Sequence, residues 1–331
     1  MIPRGWVLAL VAFVVALLLP VIFRGNDYLL NLCVVAGVYS IVVMGLGILL
    51  GWAGQMSLAQ AAFLGIGAYT SAYFTTHVGL NFWQALPLSI LMSALVGVGV
   101  GYPCLRLSGH YLALATIGFG IITQLVLINW KAVTNGSDGI TGIPAPPPIG
   151  SISFESYGAY FYIVLGFVVL CAYIASRIKT TRVGRAMEAI RENELAASAM
   201  GINTTRYKIL AFVLAGSYAG LAGSLLAHSI KFISPDSYSF DQSVVFLVML
   251  ILGGSSSIGG AILGAALLTL LPEVLRPLKN SYIMVYGAAV VAMIIFMPQG
   301  LVGLIEAFTK RFRRPGGPQP QVLAQRAAEG V

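Results

Sequence analysis

SRIKTTRVGRAMEAIRENELAASAMGINTTRYK, from Ser176 to Lys208, is the most charged stretch of a chain that is otherwise mostly hydrocarbon. Seven of the nineteen Lys and Arg residues lie in it: Arg177, Lys179, Arg182, Arg185, Arg191, Arg206 and Lys208. Three of the eleven acids are there too, at Glu188, Glu192 and Glu194. So dense a charge belongs in water, and its excess of cations sets which side of a bilayer that water is on. Everything around it reads as scaffold attached to this loop.

The surrounding composition decides what kind of scaffold. The chain has 331 residues, of which 58% are hydrophobic and 9% charged, with a mean hydropathy of +0.89. Soluble domains carry about 25% charged residues, so a water-facing globule is excluded. A polytopic helical membrane protein is not, because lipid faces most of its side chains. The 38 glycines fit that class, since small residues let membrane helices approach closely. The net charge of +8 is concentrated in a few loops and points to membrane orientation rather than to nucleic acid. Cys33, Cys104 and Cys171 have no metal-like spacing and read as small buried hydrophobes without a disulfide framework.

Working outward from the loop, stretches of about 20 apolar residues mark candidate spans. They are Trp6–Phe23, Leu29–Leu50, Ser57–Thr76, Trp83–Gly101, Tyr111–Trp130, Tyr157–Ser176, Ile209–His228, Val244–Gly254, Ile258–Leu275 and Tyr282–Leu304, ten in all. The first lacks a convincing small-residue cleavage site and reads as a retained span rather than a signal peptide. The eighth is short and runs into a Gly/Ser stretch, as a broken helix would. With the charged loop in the cytoplasm, Arg4, Arg106, the seven loop cations, Lys310, Arg311, Arg313, Arg314 and Arg326 lie inside, and Arg24, Lys131, Lys231, Arg276 and Lys279 outside. Fourteen against five favours this orientation, which puts both termini in the cytoplasm.

Two stretches interrupt the apolar spans. GWAGQMSLAQAAFLGIGAYTSAY, Gly51–Tyr73, and LGGSSSIGGAILGAALL, Leu252–Leu268, each join a Gly-rich, Ser-containing turn to a helix of small residues. Leu50-Gly51…Ser57…Leu64-Gly65 sits loosely over Leu252-Gly253…Ser257…Leu263-Gly264, a weak internal repeat of the kind transporters build around a central path. Gly51, Gly54, Gly253 and Gly254 can leave helical geometry cheaply. Gln55, Ser57, Gln60 and Ser255–Ser257 offer donors and acceptors at membrane depth. Close helix packing through small residues explains the same pattern without a substrate. The outer stretch Lys131–Ser156 is rich in Gly and Pro; its Asn135, Asp138 and Thr141 suit either a docking loop or an Asx/Gly turn. Glu273 and Arg276, three apart, are placed to pair. Gln124 and Asn129 suit helix–helix hydrogen bonding.

Within the charged loop, Val183–Met200 has helical periodicity, with Met187, Ile190, Ala197 and Met200 on one stripe, and Gly201 is placed as the residue that ends it. A short helix on the membrane face, followed at once by a span, can transmit force. A solvated loop held by anionic headgroups is the alternative. No GxxxxGK[ST] phosphate loop occurs, and His77, His110 and His228 form no HExxH. No catalytic or metal-binding constellation is apparent.

Leu195–Gly201, LAASAMG, resembles the EAA-type cytoplasmic motif of ABC importer permeases, in its looser form with Leu in place of the first Glu. RAMEAIRENELAASAMGIN (Arg185–Asn203) is similar to the corresponding loop of the LivM family of branched-chain amino-acid permeases. GWAGQMSLAQAAFLGIGAYTSAY, TNGSDGITGIP (Thr134–Pro144) and LGGSSSIGGAILGA (Leu252–Ala265) resemble its other signatures, in the same order. Ala59 and Gln60 stand where small residues or Gly are expected.

This resemblance implies an all-α polytopic membrane protein of about ten transmembrane helices with ABC importer permease architecture. Residues 1–310 would form the transmembrane domain, carrying a cytoplasmic coupling loop at 176–208, and residues 311–331 a disordered cytoplasmic tail. It implies a bacterial inner-membrane assembly with a second permease, two ATPase subunits and an extracytoplasmic binding protein. ATP would be used by those partners, with no cofactor bound by this chain. Substrate would pass Gly51, Gly54, Gln55, Ser57, Gln60, Gly253, Gly254 and Ser255. Contact with the ATPase would fall to Arg185, Glu188, Glu192, Asn193, Ala196, Ala197 and Gly201. Urea, short amides and other small carboxylates are alternative solutes. A self-sufficient secondary transporter is disfavoured by the shortage of intramembrane charge, and a membrane enzyme by the missing site chemistry.

Overall fold

The computed structural model describes residues 16–20, 25–104, 107, 109–148, 154 and 156–276, with scattered positions between 284 and 303. Helix α1, Asp27–Leu46, starts where the Asn26 side chain accepts from the Leu29 amide at 3.3 Å, and it runs on into a π-helical turn, Gly47–Trp52. Then come α2 (Gln60–Thr76), α3 (Phe82–Cys104), α4 (His110–Asn129) and α5 (Tyr157–Thr180). The charged loop folds as α6 (Arg182–Glu192) and α7 (Glu194–Ala199), and leads into α8 (Thr204–Ile230). Helices α9 (Phe240–Gly253) and α10 (Ile258–Leu275) follow.

Two spans form the centre. Of their most apolar windows, α1 with its π turn is 78% buried and α8 72% buried, against 28–39% for α3, α4, α5 and α10. Helix α8 packs against α2 and α3, and α1 against α5, α8 and α10. Small residues permit this. A Cβ at Gly216 or Gly220 would come within 2.6 Å of the Ser93 or Ser89 carbonyl on α3. Some buried hydroxyls are satisfied within their own helices, as at Ser40 (to the Ala36 carbonyl, 2.7 Å) and Ser89 (to Ala85, 3.0 Å), while Ser93 donates across to the Phe63 carbonyl of α2 at 3.2 Å. The peripheral helices turn Leu114, Ile122, Leu125 and Tyr173 outward, as lipid-facing helices do.

At the end remote from the charged loop, β1 (Ile140–Thr141) pairs antiparallel with β2 (Phe232–Ile233). His228 ties this cap to the bundle. Its Nδ1 donates to the Pro144 carbonyl at 2.7 Å, so Nε2 accepts from Ser71 Oγ at 3.0 Å, and Ser224 Oγ donates to Ser71 at 2.8 Å. Asn135 stands in left-handed backbone, with Nδ2 donating to the Gly139 carbonyl at 2.9 Å, so it builds a turn.

The expected ten spans are met in part. Among the described residues six helices are long and apolar enough to cross a membrane. Trp6–Phe23 and Tyr282–Leu304 fall largely outside the described residues, as do residues 311–331. Ser57–Thr76 and Val244–Gly254 form shorter helices, α2 of 17 residues and α9 of 14. At about 1.5 Å per residue these helices reach roughly 25 and 21 Å, short of a hydrocarbon core of about 30 Å. Non-helical chain adjoins both, Gly54–Ala59 before α2 and Gly254–Ser257 after α9. Asn129, expected to bond between helices, donates instead to the Leu125 carbonyl of its own helix at 2.8 Å. Cys33 and Cys171 are free and buried, as expected.

Candidate functional site: two helix breaks under a charged elbow

The two interrupted stretches meet. Gly51, in the π turn, lies flat on the turn that follows α9, and a Cβ there would collide with the Ser255 carbonyl. Gly253 is pressed in the same way on Gly260, and Gly254 takes φ +113°, a backbone only glycine adopts readily. Trp52 Nε1 donates to the Ser256 carbonyl at 3.4 Å. Ser257 caps α10, accepting from the Gly260 amide at 3.2 Å.

From Gly51 the chain rises into the bundle. Gly54 has φ +67°, and the Gln55 amide still reaches back to the Leu49 carbonyl at 3.0 Å. The Leu58 amide is held by Thr116 Oγ1 of α4 at 3.0 Å, and the Ala61 amide, in the first turn of α2, by Ser243 Oγ of α9 at 3.0 Å. Gln60 is fully buried, its Nε2 donating at 3.3 Å to the carbonyls of Val42 on α1 and Ala215 on α8. Thus α2 begins inside the bundle, beside the last third of α1 and the middle of α8. The side chains of Gln55 and Ser57 point inward, 8% and 3% exposed, whereas Met56 is 49% exposed and Gly54 is exposed beside it. Among the described residues, the carbonyls of Gly54, Gln55, Met56 and Ser57 accept no hydrogen bond.

The elbow covers the entrance to this stretch. Helix α6 buries Gly184, Ala186, Met187 and Ile190. The expected single helix Val183–Met200 is interrupted at Asn193, whose extended backbone (φ −160°) ends α6 and whose side chain caps α7, accepting from the Ala196 amide at 3.0 Å. That break resets the helical phase. Met187, Ile190 and Ala197 are buried as expected, but Met200 is 84% exposed and Leu195 83%. Gly201, at φ +82°, closes α7 in a Schellman turn: its amide donates to the Ser198 carbonyl at 2.9 Å and the Ile202 amide to Ala197 at 3.1 Å. Gly201 to Leu210 line a groove of about 540 Å³ with Ile202, Asn203, Arg206 and Tyr207. Arg185 donates to the Thr180 carbonyl at 3.2 Å, Glu188 lies 4.0 Å from Lys179, and Glu192 and Ala196 face outward.

Two contacts join the charged loop to the breaks, one from α6 and one from the end of α5, and neither of the residues that make them stood out in the sequence. Arg191 Nη1 donates to the Gly51 carbonyl, with the arginine stem packed over Gly54. Lys179 Nζ donates to the Ser256 carbonyl at 2.8 Å and lies 5.7 Å from the centre of the Trp52 ring. A signal did exist for Arg191: it follows the buried Gly184 and Met187 on α6 at i, i+3 and i+7, at the edge of the apolar stripe. A cation on an apolar stripe needs a partner.

The model of the branched-chain amino acid transport system permease component matches residues 28–298, which include every element of this site. The chain belongs to that permease family. The high-affinity branched-chain amino acid transport system permease protein LivM of Salmonella typhimurium is 36% identical over 287 residues, covering 80% of this chain and 68% of that one. The LivM of Escherichia coli is 34% identical, covering 88% of this chain and 74% of the relative. The LivH permease of Salmonella typhimurium is 26% identical over 80% of this chain and 91% of its own. No solved structure matches the chain. As a permease of this family the protein is a multi-pass membrane protein with a transport role.

Proposed function

We propose that this chain is one of two permease subunits of a bacterial inner-membrane ABC importer, and that it carries branched-chain amino acids. The relatives LivM and LivH, both matched along most of this chain, support a pair of unlike permeases and that class of solute. The observation that carries the reading is the open, non-helical stretch at Gly54–Ser57. Irregular backbone at membrane depth is tolerated only where protein or a water-filled cavity covers it, because lipid cannot bond its amides and carbonyls. A path shared with a second permease supplies both. The carbonyls of Gly54–Ser57 would face an amino-acid ammonium, and the start of α2 inside the bundle provides a positive helix end for its carboxylate.

The elbow is the other half of the reading. Leu195 and Met200, beside the groove at Gly201–Leu210, form an exposed apolar edge on an otherwise charged loop, the composition of a protein contact rather than of a headgroup contact. Residues 176–208 are thus the coupling loop and dock an ATPase subunit on the cytoplasmic side, with Arg185, Glu188, Glu192 and Ala196 around that edge. An extracytoplasmic binding protein delivers the solute at the opposite end. ATP-driven closure of the ATPases would move the elbow and open one side of the path at the expense of the other.

Affinity purification of the tagged chain from native membranes tests the assembly. An ATPase pair and a second permease should accompany it, and should be lost when Leu195 and Met200 are both changed to Asp. A Cys at position 56, in a background without the native cysteines, should react with a membrane-impermeant maleimide in the assembled complex, and solute should protect it. Isolation of the chain alone, still moving solute in liposomes without ATP, would replace this reading with a secondary transporter.

A further inference from the structure

The π turn Gly47–Trp52 and helix α9 both end at the charged face, so their carbonyl ends concentrate partial negative charge there. Each end receives one cation. Arg191 of α6 donates to the Gly51 carbonyl, and Lys179, at the end of α5, donates to Ser256 in the turn after α9. Lys179 also faces Glu188 of α6 at 4.0 Å. Between the two capped ends Gly51 lies against Ser255 without a side chain, and Trp52 bonds Ser256. The elbow is therefore fastened to the first break directly, through the Gly51 carbonyl, and to the second through Lys179 of α5, which holds the Ser256 carbonyl and faces Glu188; neither carbonyl can move unless its helix end moves with it.

We infer that Arg191 and Lys179 are positioning residues of the transport cycle, binding α6 to both helix breaks so that elbow and breaks move as one body. This deepens the importer reading and rests on it. The two cations do not touch solute; they carry the elbow's displacement to Gly51 and Ser256, and from there to the open stretch at Gly54–Ser57. Arg191 is the stronger link because its guanidinium reaches the carbonyl from a stem already packed on Gly54.

The test uses the whole complex in lipid nanodiscs or liposomes, with Cys33, Cys104 and Cys171 replaced and spin labels at Arg182→Cys and Ser256→Cys, which leave both carbonyl contacts intact. The distance between these labels should be the same in nucleotide-free and nucleotide-trapped complexes, while the distance from a label at position 182 to one at Val78 should change. In Arg191→Ala the first distance should also become nucleotide-dependent. The maximal uptake rate of Arg191→Ala should fall roughly tenfold, the size of a typical coupling term, with little change in the half-saturating solute concentration. Arg191→Lys should recover part of the rate. A 182–256 distance that changes on trapping in the otherwise native complex, or unchanged uptake in both Arg191→Ala and Lys179→Ala, would overturn the linkage. A 182–78 distance that nucleotide leaves unchanged would overturn the importer cycle itself, and the linkage with it.

Discussion

The ammonium of Lys208 lies 2.5 Å from the carboxylate of Glu194, and the two ends of this pair are not equally placed: the lysine side chain is 4% exposed and the glutamate 42%. The pair fixes α7 to the start of α8 across the Gly201 turn. Removing one partner of a buried pair costs most when a charge is left stranded, and the charge that would be stranded here is the lysine. Glu194→Gln should therefore destabilise the protein by about 1–3 kcal/mol, between an exposed pair and a fully buried one because water reaches the carboxylate. Lys208→Met should cost less, since Glu194 can be solvated. The double variant should recover much of the loss, and thermal unfolding in detergent measures all three. Equal losses for the two single variants would show that burial does not set the asymmetry.

Gly201 ends α7 at φ +82° with nothing within 4 Å of the position a Cβ would take. Space is therefore not what requires glycine there; backbone geometry is. Gly201→Asn should be nearly silent in uptake, whereas Gly201→Val, forced into left-handed backbone at about 1–2 kcal/mol, should lower it. Uptake of both relative to the native complex checks this, and equal activity of the valine variant would show that the Schellman turn does not matter.

Gly51 and Gly118 make opposite predictions for one methyl group. At Gly51 a Cβ meets the Ser255 carbonyl, and at Gly118, inside α4, it meets nothing within 4 Å. Gly51→Ala should separate the two breaks and abolish uptake. Gly118→Ala should leave uptake intact and stabilise the helix by about 0.5–1 kcal/mol. Uptake together with melting temperature separates the cases, and an active Gly51→Ala complex would mean that the breaks need not touch.

Gln60 bridges two central helices through one amide group. Gln60→Leu keeps the volume, but leaves the Val42 and Ala215 carbonyls without their extra donor, and should cost about 1–2 kcal/mol. Gln60→Glu should be far worse, because it replaces the donor with an acceptor or a buried charge. If both variants purified with native stability, the amide would have no structural role.

Parts of this arrangement were legible in the residues alone. Gly201 announced the end of α7 because few other residues accept its backbone, and Glu273 and Arg276, three apart, do pair at 3.2 Å. The four family blocks named the permease. Hydropathy, however, measures how apolar a stretch is and not whether it is helical, so it includes Ser57–Ala59 in a span although these residues are not helical. The stripe through Met200 failed for a related reason: periodicity assumes one continuous helix, and Asn193 breaks it. Gln60 could not be placed, because nothing local shows that carbonyls from residues 42 and 215 flank it. The partners of Arg191 and Lys179 are equally invisible, since they are main-chain atoms, which carry no sequence signal; only the position of Arg191 on α6 hinted at one.

The central claim is that this chain moves solute only as part of an ATP-driven pair of permeases. The most direct measurement is uptake of radiolabelled leucine into liposomes holding the co-purified complex, with the binding protein outside and ATP inside. The account predicts accumulation that needs both ATP and the binding protein, and that unlabelled isoleucine or valine suppresses. Leucine entry at the same rate without ATP, or by this chain with no partner present, would contradict it.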